Sequence, residues 1–410
     1  MNTGQTAPLP PRDDKRIPEL DGLRGIAIGL VIVVHYFTAA VQVHLPNPLA
    51  YLQIATRLSW SGVDLFFVLS GFLIGGILLD ARESRNYFKV FYLRRACRIL
   101  PIYLVFCGFI AFCYLFIYPA HRPLMDWLFM APMPWYSYPT FTQNFWMSRW
   151  NYLGPASLAI TWSLAVEEQF YLTLPAVIRF IRIAILPYVL LAGIVAAPIL
   201  RIALIIWRPQ AQAALYTLLP CRMDALLLGV LAALWMRRPG FKEALYGRRK
   251  ILWGLFAVLA AGLGYFATTS NYYSAPVASV GYDWLALFYL VALLLALVDK
   301  QSWLARILRW RRLMALGTIA YGTYLFHYVL YGLCMAYLRA HAGILENLPD
   351  LIVTLFAFAL AIVLTSLLWR YFEKPIVRLG HKLQYNPTED APNPAEVSSA
   401  GVLDKKPQLV

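Results

Sequence analysis

The chain has 410 residues, 60% of them hydrophobic and 14% charged, with a formal net charge of +15 and a mean hydropathy of +0.59. A soluble domain of this length does not carry that balance, so the chain reads as an all-α polytopic membrane protein embedded in the lipid bilayer. The basic residues are split among short loops and not gathered on one face, which argues against a nucleic-acid partner.

In chain order, residues 1–18 are polar and rich in Pro and charge; they read as a flexible cytosolic arm, with no cleavable signal peptide. Apolar stretches of about 18 residues or more then recur about ten times. They are residues 23–43, 60–79, 99–117, 161–178, 183–206, 214–236, 251–267, 281–298, 313–338 and 351–369. Together, residues 19–378 form the expected membrane domain, and the Pro-, Ala- and Ser-rich residues 379–410 read as a disordered cytosolic tail. Lys and Arg alternate by loop: segments 80–98, 237–250 and 299–312 hold six, six and five of them. An excess of that kind marks the cytoplasmic side. With about ten spans both termini fall on that side too, as expected for a multi-pass protein of the inner, cytoplasmic membrane.

Two connections have a character of their own. Segment 80–98 mixes aromatic and basic residues as an interfacial helix does. Segment 118–159 is dense in Trp127, Trp135, Tyr136, Tyr138, Trp146, Trp150 and Tyr152, which suits either a membrane-interface belt or a ligand surface. The five cysteines show no paired spacing, so neither a disulfide framework nor a metal site is expected.

Polar side chains inside the spans carry the chemical information, because each must face the bundle interior, water or a partner. They are Arg24 and His35 in the first span, Asp64 in the second, Glu167 and Glu168 in the fourth, Arg201 in the fifth, Arg222 and Asp224 in the sixth and His327 in the ninth. Arg24 and His35 are eleven residues apart, about three turns, hence on one face and about 16 Å apart along the axis. Threading the topology puts His35, Asp64, Glu167 and Asp224 near the midplane or in the outer half, and Arg24, Arg95 and Arg98 at the cytoplasmic face. The expected arrangement is a buried polar chamber with a basic entrance, suited to a multiply charged anion. For Arg95 and Arg98, plain positive-inside anchoring is the competing reading. An embedded imidazole is held in its neutral, proton-accepting form, so His35 is the candidate general base, with Glu167 expected to orient it. Gly25 with Gly29, and Gly71 with Gly75, are small-xxx-small pairs that permit close helix approach.

These residues resemble the acyltransferase-3 family of integral membrane acyltransferases from about Ile17 to Arg378. The run from Glu19 to Gly25 leading to His35 is similar to the family's opening Arg and essential His. Gly62 to Leu73 resembles its second motif, Arg94 to Pro101 its third, with Arg-x-x-Arg, and Thr161 to Tyr171 its fourth, in which Glu167 holds the functional position. Cys221 to Leu226, Tyr321 to His327 and Phe372 to Pro375 follow in register. The resemblance implies transfer of an acyl group, usually acetyl, from cytosolic acyl-coenzyme A to a hydroxyl of an envelope glycan or glycolipid. It further implies His35 and Glu167 as catalytic residues. Arg24, Arg95 and Arg98 are implied as holding the acyl-CoA, and Asp64, Trp162, Arg222, Asp224, Tyr321 and His327 as substrate-binding. Acetyl-CoA is then a co-substrate and no metal is needed. Whether His35 activates the acceptor directly or is itself acylated stays open at this stage. Some family members carry an esterase-like domain after the last span; none is expected here, and a separate envelope protein of that kind is an expected partner.

Two other readings compete. Embedded Arg, His, Asp and Glu also suit a proton-coupled transporter, although no half-to-half repeat is evident. His121 and Asp126 match the His-x4-Asp spacing of glycerolipid acyltransferases but lie in an outer loop, away from a cytosolic donor.

Overall fold

The computed structural model describes residues 17–41, 48–130, 133–269 and 273–386. Long helices form its body: α1 (Pro18–Val33), α2 (Gly62–Asp80), α3 (Tyr87–Phe112), α4 (Trp162–Phe180), α5 (Leu186–Trp207), α6 (Leu219–Trp235), α7 (Arg249–Thr269), α8 (Tyr282–Val298), α9 (Ala320–Arg339) and α10 (Leu348–Leu368). Among the described residues the one extended pairing is an isolated bridge between Val41 and Leu345. This is the expected all-α helix bundle.

Among the described residues, eight helical segments are long and apolar enough to cross a membrane, or nine if Arg311–Thr318 and Ala320–Arg339, bent by 77° at their junction, make one span. The expected span 313–338 is therefore broken at Ile319. The expected span 161–178 corresponds to α4, which carries Glu167, Glu168 and Arg179 in 19 residues and is not apolar enough to count by itself. Its place within the bundle compensates: Leu164, Ala165, Val166 and Phe170 are buried against other helices. Segment 80–98 does not form a separate interfacial helix. Its second half is the start of α3, a single helix of 26 residues with Tyr87 and Phe91 buried.

Helices α2 and α6 are the buried centre, whereas α5, α7 and α10 turn most of their apolar surface outward, as lipid-facing helices do. The central pair approaches closely because of glycine. A Cβ built on Gly71 would lie 1.9 Å from the Leu226 carbonyl oxygen, and one on Gly229 2.2 Å from that of Val68, so no larger residue fits this crossing. Gly25 makes a similar approach to Leu313, while Gly29 meets nothing within 4 Å; only the first glycine of that expected pair is a contact.

One end of the bundle gathers the basic connections. There Arg237 pairs with Asp80 at 2.7 Å, Arg309 with Glu19 at 3.6 Å, and Arg179 donates to the Arg82 carbonyl. The chain after α10 also returns to this end. A wide turn at Trp369–Glu373 leads into a last helix, Lys374–His381, and Arg94 donates to the Leu383 carbonyl at 3.0 Å. Residues 379–386 of the expected tail are thus packed on α3; residues 1–16 and 387–410, which hold the rest of the expected arm and tail, lie outside the described residues.

Candidate active site

Near the basic end a cavity of about 210 Å³ opens between α1, α2, α3, α4 and α9. Its polar wall is built from short-period patterns on each helix. Arg95 and Arg98 are one turn apart on α3; Ser163, Glu167 and Tyr171 recur every four residues on α4; Tyr321 and Tyr324 are one turn apart on α9, and Arg24 and Ser70 complete the wall. Sequence reasoning named the charged members and Tyr321 but missed Ser70, Ser163, Tyr171 and Tyr324. The four-residue spacing around Glu167 was the available signal, since it places two hydroxyls on the face of an embedded carboxylate.

Of the charged side chains that line the wall, three are guanidiniums and one, Glu167, is a carboxylate. Arg24 pairs with Asp21 at 3.3 Å. Arg98 pairs with the buried Glu373 at 2.7 Å and lies over the Trp369 ring at 5.2 Å. Arg95 has no ion pair among the described residues. Glu167 accepts from the Ser70 hydroxyl. Three guanidiniums on one concave surface have the chemistry to receive an anion with several phosphate oxygens, because Arg keeps its charge and donates bidentately. At the inner end Ser163 and Tyr324 share a hydrogen bond of 2.6 Å, and the Tyr324 hydroxyl lies 2.8 Å from the Ile160 carbonyl.

His35 is not part of this wall. It lies where α1 widens into a π turn, Val34–Thr38, a distortion often found where a side chain is aimed for function. Its Nδ1 is 2.9 Å from Nε2 of His327, one turn beyond Tyr324 on α9, and its ring packs at a tilt of 31° against Tyr328, centroids 4.6 Å apart. Glu167 does not orient His35, contrary to expectation. Its carboxylate is engaged by Ser70 on the cavity wall, and the place beside the imidazole is taken by a second imidazole.

The remaining expected substrate residues sit elsewhere. Arg222 and Asp64 pair at 2.5 Å, each 1% exposed at the side chain, and Arg222 lies 3.9 Å over the Tyr282 ring. Arg201, fully buried, pairs with Asp224 at 2.8 Å and with Asp283 at 2.5 Å. Trp162 packs on Tyr216 at 4.4 Å and on Phe67 at 6.0 Å. This lattice ties α2, α5, α6 and α8 together behind the cavity, so Asp64, Arg222, Asp224 and Trp162 brace the bundle and do not line the site. Charges that meet opposite charges are affordable in a low-dielectric interior, although Nε and Nη1 of Arg222 and Oδ2 of Asp64 are buried without a hydrogen-bond partner among the described residues.

His121 and Asp126 are not paired either: the His121 ring meets Tyr337 at 4.7 Å, and Asp126 accepts from Tyr118 at 2.6 Å. In the aromatic connection, Trp135 and Tyr136 are exposed, and Tyr136, Trp146 and Trp150 follow as a row of rings with centroids 6.4 and 5.2 Å apart.

Comparison with known proteins places the chain in a family. The acyltransferase domain family matches residues 17–370. The chain is 25% identical over 386 residues to the O-acetyltransferase OatA of Staphylococcus aureus, covering 89% of this chain and 58% of that protein. It is 26% identical over 390 residues to the peptidoglycan O-acetyltransferase OatA of Listeria monocytogenes, covering 89% of this chain and 56% of that one. The chain thus spans a little over half the length of these relatives. No solved structure matches it significantly.

Proposed function

The chain belongs to the acyltransferase family, and on that premise we propose that it is a membrane O-acetyltransferase. In this reading it moves an acetyl group from cytosolic acetyl-CoA to a hydroxyl of an envelope glycan. Peptidoglycan, named for the Listeria relative, is the first acceptor to test. The observation that carries the reading is the cavity wall on which Arg24, Arg95 and Arg98 stand together. Coenzyme A is a thin arm with several phosphate charges, and a site at the basic end of the bundle suits a donor that arrives from the cytosol, the side that basic loops favour.

The phosphates pair with the guanidiniums, and the pantetheine arm runs along the apolar wall of Phe66, Leu73 and Ile99 toward Tyr324. His35, beyond that tyrosine, removes the proton of the acceptor hydroxyl. The oxygen attacks the thioester carbonyl, the carbon–sulfur bond breaks, and the proton passes from the imidazolium to the departing thiolate, so that ester and free thiol are the products. Of the two routes the sequence left open, this direct attack is the one taken here. The exposed aromatic row is a stacking surface for a sugar on the opposite side of the membrane.

The test uses the full chain in proteoliposomes with radiolabelled acetyl-CoA and peptidoglycan fragments, reading thiol release and label transfer. Wild type releases thiol and labels the glycan. His35→Ala, which retains its elution profile in detergent, falls by about 10³-fold. Undiminished transfer by that variant overturns the mechanism, and solute uptake without thiol release favours a transporter.

A further inference from the structure

We infer that His327 is the positioning residue of His35: it fixes the tautomer of that ring so that Nε2 is the bare, proton-accepting nitrogen. The inference deepens the acyl-transfer reading and rests on it.

Hydrogen-bond partners settle which nitrogens carry protons. Nδ1 of His327 lies 2.7 Å from the Tyr324 carbonyl oxygen and 3.1 Å from that of Thr323. Carbonyl oxygens only accept, so this nitrogen bears a hydrogen. His327 is 0% exposed, and neither imidazole has a hydrogen-bonded carboxylate among the described residues. A buried imidazolium without an anion is costly, so the ring is neutral and its Nε2 is bare. A bare nitrogen accepts, and its partner at 2.9 Å is Nδ1 of His35. His35 therefore donates from Nδ1 and keeps the lone pair of Nε2, and the Val31 backbone one turn back on α1 is a further hydrogen-bond partner of its ring.

The ring of His327 is held firmly enough to impose this. Its backbone carbonyl accepts from the Tyr36 hydroxyl at 2.7 Å, so residues adjacent in sequence, His35 and Tyr36, grip both its ring and its main chain. Tyr328 packs at a tilt against the His35 ring, centroids 4.6 Å apart. When His35 takes a proton at Nε2, its Nδ1–H becomes more acidic and its bond to His327 strengthens, which stabilises the imidazolium. An acidic residue does this in a hydrolase triad; here a neutral ring held by carbonyls does it without adding a buried charge.

The experiment compares His327→Ala and His327→Gln in the proteoliposome assay, with wild type and His35→Ala alongside. A glutamine reaches the same two sites, donating its amide to the Tyr324 carbonyl and accepting from His35, yet it cannot carry a proton. The expected result is a kcat about 10²-fold down in the alanine variant, recovery to within about tenfold of wild type with glutamine, and unchanged KM for acetyl-CoA in both. Glutamine no better than alanine, or a loss confined to KM, overturns the inference while leaving the function intact. Loss of function in the reading itself shows instead in His35→Ala, as undiminished transfer. If the alanine chain does not fold, histidine-selective 15N spectra of wild type decide: His35 protonated on Nδ1 supports the inference, and protonation on Nε2 overturns it.

Discussion

Two groups of embedded charge share this bundle, and they have opposite fates. In the lattice of Asp64, Arg222, Arg201, Asp224 and Asp283, each guanidinium is matched by carboxylate within 2.8 Å. On the cavity wall, Arg24 and Arg98 are paired with Asp21 and Glu373 but line a cavity, and Arg95 beside them has no ion pair among the described residues. Both groups look alike as letters in an apolar span. What separates them is the cavity: the lattice is enclosed among helices, whereas on the wall Arg95 stands without an ion pair beside open space, which suits the charged donor proposed above.

Breaking the lattice is expected to have the largest effect. Arg222→Met leaves Asp64 buried without its partner and costs about 3–5 kcal/mol, read as a lowered thermal midpoint in detergent. Adding Asp64→Leu restores most of that loss, because an apolar pair replaces an ionic one at little cost. A double variant as unstable as the single would erase the distinction drawn here. On the cavity side, Arg95→Gln leaves the thermal midpoint unchanged and raises the KM for acetyl-CoA about tenfold or more, the worth of one or two charge-assisted hydrogen bonds. A stability loss without a KM change would make Arg95 a brace like Arg222. The smallest effect sharpens the contrast from the other direction. Glu373→Gln frees Arg98 from the carboxylate at 2.7 Å and lowers that KM by about threefold, as expected when a partly buried charge loses its internal competitor. A rise in KM would mean that Glu373 aims Arg98 at the donor.

Much of this is legible in the sequence, and particular residues show where legibility stops. Arg95 and Arg98 declare their shared face by spacing alone, as do Ser163, Glu167 and Tyr171. Nothing local distinguishes Arg222, which serves the lattice, from Arg24, which serves the cavity; each is one guanidinium in an apolar helix. Glu167 was matched with His35 because both are embedded and polar, yet the hydroxyl of Ser70 on α2 reaches it, and His327 on α9 takes its place beside the imidazole.

Composition and periodicity by themselves determined that the chain is an all-α bundle of membrane-crossing helices, because twenty apolar residues in lipid leave the backbone no other way to satisfy its hydrogen bonds. They also determined which side chains are too costly to be embedded without a purpose. Which of those charges meet one another, and which are left facing a cavity, only the packing of α2, α4, α6 and α9 decided. Residues such as His35 and His327 are 292 positions apart, and contact at that separation is set by how helices cross and not by any pattern within one of them.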